Sequence, residues 1–176
     1  MNTRGQWAES CFKKAMNSVP GIVCLKWPDF KSFIQVECPR CKHHFRSRYQ
    51  APKAPSDFEL FKNDKYAFIE VKSCKNSASY IFRSGDDNYI RDHQFTYGWI
   101  FNEMGGRYYF LLFHGKEEVF LMLPNVLKRL IEENAERTRI RWEIIRDNAI
   151  ISLKIGARPK IFPPEQLLEA IFDVRK

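Results

Sequence analysis

The sequence predicts an α/β fold, one mixed central sheet flanked by helices. Three observations predict it. Segments of helical period alternate along the chain with short runs rich in aromatic and β-branched residues, in the order helix, strands, helix, strands, helix. The length, 176 residues, suits a single domain, 1–176, with one core. Fifteen phenylalanines in a chain of 44% hydrophobic content supply that core with aromatic packing.

Residues 6–18 carry Trp7, Phe12, Ala15 and Met16 at helical spacing, and Pro20-Gly21 ends the run. Ile22, Val23 and Leu25 mark a strand from Gly21 to Trp27, broken by Pro28-Asp29, and Phe33 to Val36 is a second short apolar run. Pro52 and Pro55 make 51–55 an extended linker. Ser56 to Lys72 reads as two strands joined at Asn63-Asp64, residues that tolerate the left-handed backbone of a hairpin loop. Ile90 to Met104 reads as a helix stopped by Gly105-Gly106. Tyr108 to His114 and Glu118 to Leu123 form a second strand pair around Gly115-Lys116. Pro124 to Arg137 is an amphipathic helix with Val126, Leu127, Leu130 and Ile131 inward. Pro163-Pro164 opens a last helix with Leu167, Leu168, Ile171 and Phe172 on its core face.

The formal net charge is +8 and the pI about 9.3, which favours a polyanionic partner. No apolar run approaches the length of a membrane span, and the amino terminus lacks the apolar core of a signal peptide. Five cysteines, an odd number, point to a reducing compartment rather than a disulfide framework. From Arg40 to Lys53 the cations Arg40, Lys42, Arg46, Arg48 and Lys53 occur without an acidic residue, interleaved with Phe45 and Tyr49. That mixture suits phosphate contact with stacking on bases or sugars; a solvated loop is the plainer alternative. Lys13 and Lys75 are further candidate phosphate contacts. Arg137, Arg139 and Arg141 form another basic string, a second phosphate track or a solvated edge.

The chemistry concentrates in the 56–72 hairpin. With Asn63-Asp64 as a two-residue loop, Lys62 faces Lys65 and Asp57 falls opposite Glu70. Side-chain roots of opposed residues lie about 5 Å apart, where like charges repel. A bound divalent cation is the simplest reason to place two carboxylates there. Alternation puts Glu70 and Lys72 on one face, the lysine about 7 Å along, and Ala67, Ile69 and Val71 on the other. The Val71 carbonyl lies between the two functional side chains. The set Asp57, Glu70 and Val71 for a metal, with Lys72 beside it, suits phosphodiester hydrolysis: the metal activates phosphate and water, and the lysine stabilises charge or orients the water. Mg²⁺ is expected and Mn²⁺ is equally compatible with oxygen ligands. A one-residue slip of register would put Asp57 on the wrong face and break the pair.

Cys38-Pro39-Arg40-Cys41 is half of a tetrahedral zinc site. No second Cys-x-x-Cys pair exists in the chain, so free thiols on a hairpin turn are expected, with zinc at Cys38 and Cys41 as the alternative.

Ser56-Asp57, followed by Phe68-Ile69-Glu70-Val71-Lys72, resembles the core of the PD-(D/E)xK nuclease superfamily, and more narrowly the RecU-type Holliday junction resolvases of bacteria and their phages. Arg4-Gly5-Gln6-Trp7-Ala8-Glu9 is similar to that family's amino-terminal Arg-Gly segment. Asp92-His93-Gln94 resembles its His-Gln at the head of a helix, and Ile151 to Ile161 its closing segment. The four stretches span nearly the whole chain in the family's order. The Cys-x-x-Cys run at 38–41 is not part of the resemblance. What the resemblance implies is a restriction-endonuclease-like fold and a Mg²⁺-dependent endodeoxyribonuclease acting in DNA recombination and repair. It further implies a two-fold homodimer that cuts four-way junctions by paired symmetric nicks, and a cytoplasmic, nucleoid-associated location. It gives Glu9 the role of an auxiliary acid and places Gln94 beside the metal, so that the catalytic set is Glu9, Asp57, Glu70, Lys72 and Gln94. It makes the basic segment at about 30–55 a stalk that enters the junction. Another PD-(D/E)xK DNA nuclease, restriction-like or of repair, and a non-catalytic nucleic-acid-binding module are the alternatives.

Overall fold

The computed structural model describes residues 4–27, 33–37, 44–48, 54–76, 78–84, 87–157 and 161–173. Helix α1 (Arg4–Asn17) forms where Ala8, Cys11, Phe12, Ala15 and Met16 bring one buried face together. Gly21 takes a left-handed backbone (φ 78°) and turns the chain into β1 (Ile22–Lys26). Among the described residues, strands β2 (Phe33–Glu37) and β3 (His44–Arg48) pair with each other alone. Strands β4 (Phe58–Lys62) and β5 (Lys65–Cys74) make the expected hairpin, with Asn63 left-handed at φ 56°. After β6 (Ser79–Ile81), a small pairing of β7 (Arg83–Ser84) with β8 (Asp87–Asn88) leads to helix α2 (Asp92–Glu103). Strands β9 (Tyr108–His114) and β10 (Glu118–Met122) follow, then helix α3 (Pro124–Glu133) with proline in its first turn. Strand β11 (Arg139–Arg141), helix α4 (Trp142–Asn148), strand β12 (Ile151–Lys154) and helix α5 (Pro164–Phe172) complete the order.

The main sheet is mixed, in the order β1-β4-β5-β9-β10-β12. Its β5–β9 pair is parallel and its other pairs are antiparallel. A parallel pair needs a crossover connection, and α2 lies within it. Alternation along the strands divides the core into two layers. Ala67, Ile69, Val71, Tyr109, Leu111 and Phe113 pack with α1 and α5. Phe68, Tyr108, Phe110, Leu112, Phe120 and Met122 pack with α2, α3 and α4 on the other face. The molecule is therefore a mixed sheet covered by helices on both sides.

The hairpin register is the predicted one: Lys62 pairs with Lys65 and Phe58 with Ile69, which continues to Asp57 opposite Glu70. The two lysines do not repel unrelieved. Asp173, at the end of α5, lies 3.1 Å from Lys62 and 3.8 Å from Lys65.

The structure adds to the sequence reading at three places. The helix expected to run from Pro124 to Arg137 stops at Glu133, and Ala135–Arg137 form a 3-10 turn that ends on left-handed Thr138 (φ 58°). Of the basic string, Arg137 ends the 3-10 turn, while Arg139 and Arg141 share one exposed face of β11, with buried Ile140 between them on the other, and pair with β6. Helix α4, carrying buried Trp142 and Ile145, was not foreseen. Arg46 and Arg48 lie on β3. Cys38, Cys41, Arg40, Lys42 and Lys53 lie outside the described residues.

Candidate active site

Strand β5 runs out beyond β4, and the site forms at that step. Asp57 immediately precedes β4. Its carbonyl accepts from the Trp27 N–H at 2.9 Å, and its carboxylate Oδ2 accepts from the Val71 N–H at 2.8 Å. Upstream, Ser56 Oγ donates to the Phe58 carbonyl at 2.7 Å, and the Tyr108 hydroxyl donates to the Pro55 carbonyl at 2.9 Å. Residues 55–58 are thus fastened from three sides, and the Asp57 side chain is aimed at β5.

Glu70 points to the α2 side of the sheet and is 2% exposed. A buried carboxylate needs partners. Lys72 Nζ lies 2.7 Å from its Oε1, and Gln94 Nε2 donates to the same oxygen. Gln94 is fixed at its other end, since its Oε1 accepts from the Arg91 N–H at 2.9 Å where α2 begins. The helix start and the strand carboxylate are therefore bridged by one amide, whose orientation follows from its two partners.

Burial, and next the charge of Glu70, push the Asp57 carboxyl up to about 7; Lys72 and the Val71 N–H oppose this, and Glu9 adds to it. Burial also raises Glu70, while Lys72 by charge and hydrogen bond, and then Asp57, pull it back. The pair holds two acids that resist being ionised together.

Glu9, Asp57, Val71, Lys72, Lys75, Asn76 and Tyr80 all line one open cavity of about 450 Å³. Glu9 reaches it from α1 with Lys26 Nζ of β1 2.5 Å from its carboxylate. Lys13, one helical turn after Glu9 on α1, is exposed and is not among the residues lining the cavity; its charge reaches Cys24. His93 is half-buried and stands edge-on to Tyr97.

A cation fits this arrangement. Two crowded carboxylates are adjacent, and neutralising both is what their raised proton affinities call for. Along a strand a residue's N–H and C=O point to one side. Since the Val71 N–H is on Asp57, its carbonyl is directed to the same side as the pair. Among the described residues no group of three or more His, Cys, Asp and Glu forms a ligand set. The protein's share of coordination would come from Asp57, Glu70 and the Val71 carbonyl, with Glu9 further out.

The sequence reading missed Lys26, Tyr80 and Asn76. Lys26 ends a strand whose alternation gives no hint of a partner on α1. Asn76 follows β5, where a small polar residue reads as loop; its Oδ1 accepts from the N–H groups of Ala78 and Ser79, both at 3.0 Å.

Neither protein-family models nor curated proteins match the chain.

Proposed function

We propose that this chain is a metal-dependent DNA endonuclease of the PD-(D/E)xK kind, acting as a RecU-type Holliday junction resolvase. One observation carries the proposal: Asp57 is fastened to the backbone of the strand that presents Glu70 and Lys72, and Asp57 and Lys72 line one cavity with Glu9. A sheet flanked by helices, with this hairpin near its centre, is what a restriction-endonuclease-like fold requires.

Asp57, Glu70 and the Val71 carbonyl would hold a divalent cation, which when bound would supply Lewis-acid activation of phosphate and water. The chain's own residues do the rest. Gln94 and Lys72 hold Glu70 in one orientation through its Oε1. Lys72 is partly exposed to the cavity, so its ammonium also faces the charge that develops on a phosphate. Arg139 and Arg141 are exposed beside Ile81 and Ser79 of β6, on the ribbon that continues from the cavity wall. With Lys75 they offer a path for the strand's phosphates. The basic segment at 40–53 extends the same reading to the stalk. Cutting two strands symmetrically calls for a two-fold dimer.

The test is cleavage of a synthetic four-way junction and of a duplex with the same arms, with Mg²⁺ and with chelator, by wild type and Asp57→Ala. Paired nicks on the junction that need both metal and Asp57 are expected. Equal cutting of duplex would keep the nuclease and remove the resolvase. Tight binding without cutting would leave a nucleic-acid-binding module.

A further inference from the structure

Asn76 sits where the chain leaves β5 for β6, and both of its oxygens are engaged in that bend. Oδ1 accepts from the Ala78 N–H and the Ser79 N–H, both at 3.0 Å, and from the Ser79 hydroxyl at 3.4 Å. The backbone carbonyl accepts from Trp142 Nε1 at 2.7 Å. A backbone N–H can only donate, so the amide cannot be turned the other way round, and Nδ2 is directed away from the bend.

Nδ2 has no hydrogen-bond partner among the described residues, yet it is not a buried atom. Asn76 is half-buried and lines the cavity with Glu9, Asp57, Lys72 and Lys75. Its two oxygens are turned to the buried residues Ser79 and Trp142 and to the Ala78 N–H. The amide nitrogen is therefore the polar end of this side chain that is left for the cavity.

The bend does not explain that nitrogen. An aspartate would serve Ala78 and Ser79 equally well, with a carboxylate oxygen in place of Oδ1. What asparagine adds is a pair of N–H donors without a charge. A donor suits an anion there, beside the exposed Lys75.

The amide is also held as a preorganised donor must be. Trp142, which grips the Asn76 carbonyl, stacks on His114 at 4.5 Å and on Phe120 at 5.5 Å, and its own N–H donates to the Ala78 carbonyl at 3.4 Å. The bend is thus fastened to the core at two points, and Nδ2 needs no rearrangement to meet a ligand.

We infer that Asn76 is a substrate-contacting residue, whose Nδ2 donates to a phosphate oxygen of the DNA strand in the cavity. The inference rests on the nuclease reading above and names a neutral donor outside its metal, acid and lysine set. No proton changes hands.

The experiment compares Asn76→Asp and Asn76→Ser with wild type and Asp57→Ala on junction DNA, each at a temperature where it is fully folded. Both variants keep an oxygen for the bend and lose Nδ2, and only the aspartate adds charge. Cleavage kcat with Mg²⁺ should fall about 10- to 100-fold in both, the value of a hydrogen bond to a charged group. In chelator, the rise in melting temperature caused by DNA should be smaller in both than in wild type. The loss should be equal on junctions of two different core sequences, because a phosphate contact carries no sequence information. A loss on one sequence alone would mean a base contact and overturn the phosphate assignment. If Asn76 serves the bend alone, Asn76→Asp cuts and binds like wild type, and the inference falls. It falls too if Asn76→Ser behaves like wild type, since charge alone would then explain Asn76→Asp. In these cases the nuclease reading stands. If wild type binds DNA but does not cut it, the nuclease reading fails, and the DNA-induced shift alone decides for or against Asn76. If wild type neither cuts nor binds DNA, both fall.

Discussion

The Val71 N–H donates to Asp57 Oδ2 at 2.8 Å, so the backbone of one strand positions the acid of the other. This bond leaves Asp57 close to Glu70 whether or not either is ionised. The site is thus assembled by the hairpin and strained by its own charge.

That strain gives a pH dependence. The Asp57 carboxyl lies at about 7 in the folded protein, above the usual carboxylate range, because of burial and then Glu70. A raised folded value means that the folded state holds a proton which the unfolded chain releases. The associated stability is full below about pH 4, the ordinary value of an aspartate, and is lost as pH rises through 7. Without divalent metal, the melting temperature should fall from pH 5 to pH 8. Asp57→Asn should flatten that slope and abolish cleavage. Added Mg²⁺ should raise the melting temperature of wild type more at pH 8 than at pH 5. A flat wild-type profile in chelator would count against the buried pair.

Gln94 is a bridge that no other amino acid copies. Its carbonyl oxygen serves the Arg91 N–H and its amino group serves Glu70. Gln94→Glu keeps the first bond and sets a third acid against Glu70. Cleavage should drop on the order of 100-fold, while Gln94→Ala should also loosen the start of α2 by about 1 kcal/mol. Kinetics and urea melts of the two variants separate the site effect from the cap.

Lys26 balances Glu9 at the cavity wall. Lys26→Met should change stability by no more than about 1 kcal/mol, as for other partly exposed ion pairs. It should lower the Mg²⁺ concentration for half-maximal thermal stabilisation about two- to tenfold, because a cation near the acids is gone. An unchanged Mg²⁺ titration would show that Lys26 does not influence the acid pair.

Gly98 of α2 is where helix meets helix. A Cβ there would stand 2.6 Å from Pro124 Cγ and 2.9 Å from Tyr108 Cδ1. Gly98→Ala should destabilise by about 1–3 kcal/mol through overpacking, read from urea denaturation. Cleavage should fall too, since Tyr108 is the tether of Pro55 beside Asp57.

The hairpin was legible in the sequence because everything that makes it is local. Asn63 favours the left-handed turn, and a period of two carries Ala67, Ile69 and Val71 to one face. The helix ahead of Gly105 and the strand pair around Gly115 were legible for the same reason. Helix α4 was not, since seven residues with Trp142 and Ile145 buried are too few turns to display a period. The sequence also gave no sign that the Glu70 face is covered by α2, or that Tyr80 stands against Trp142. Those relationships join residues 24 and 62 positions apart, through packing that local pattern cannot express. The supporting cast of the site was hidden there, while its acids were in plain view.

The parallel pairing of β5 with β9 bears on how the molecule comes together. The hairpin closes over two residues, whereas β5 meets β9 only by joining Val71 to Leu111, forty positions on. Short closures are fast and long ones pay their entropy first. Asp57 and Glu70 therefore meet early, in water, where their repulsion is weak. The crossover that seals Glu70 beneath Gln94 comes later and must shut against two acids already in place. A divalent ion present during refolding should quicken that late step, which would make the ion an assembly factor for the crossover.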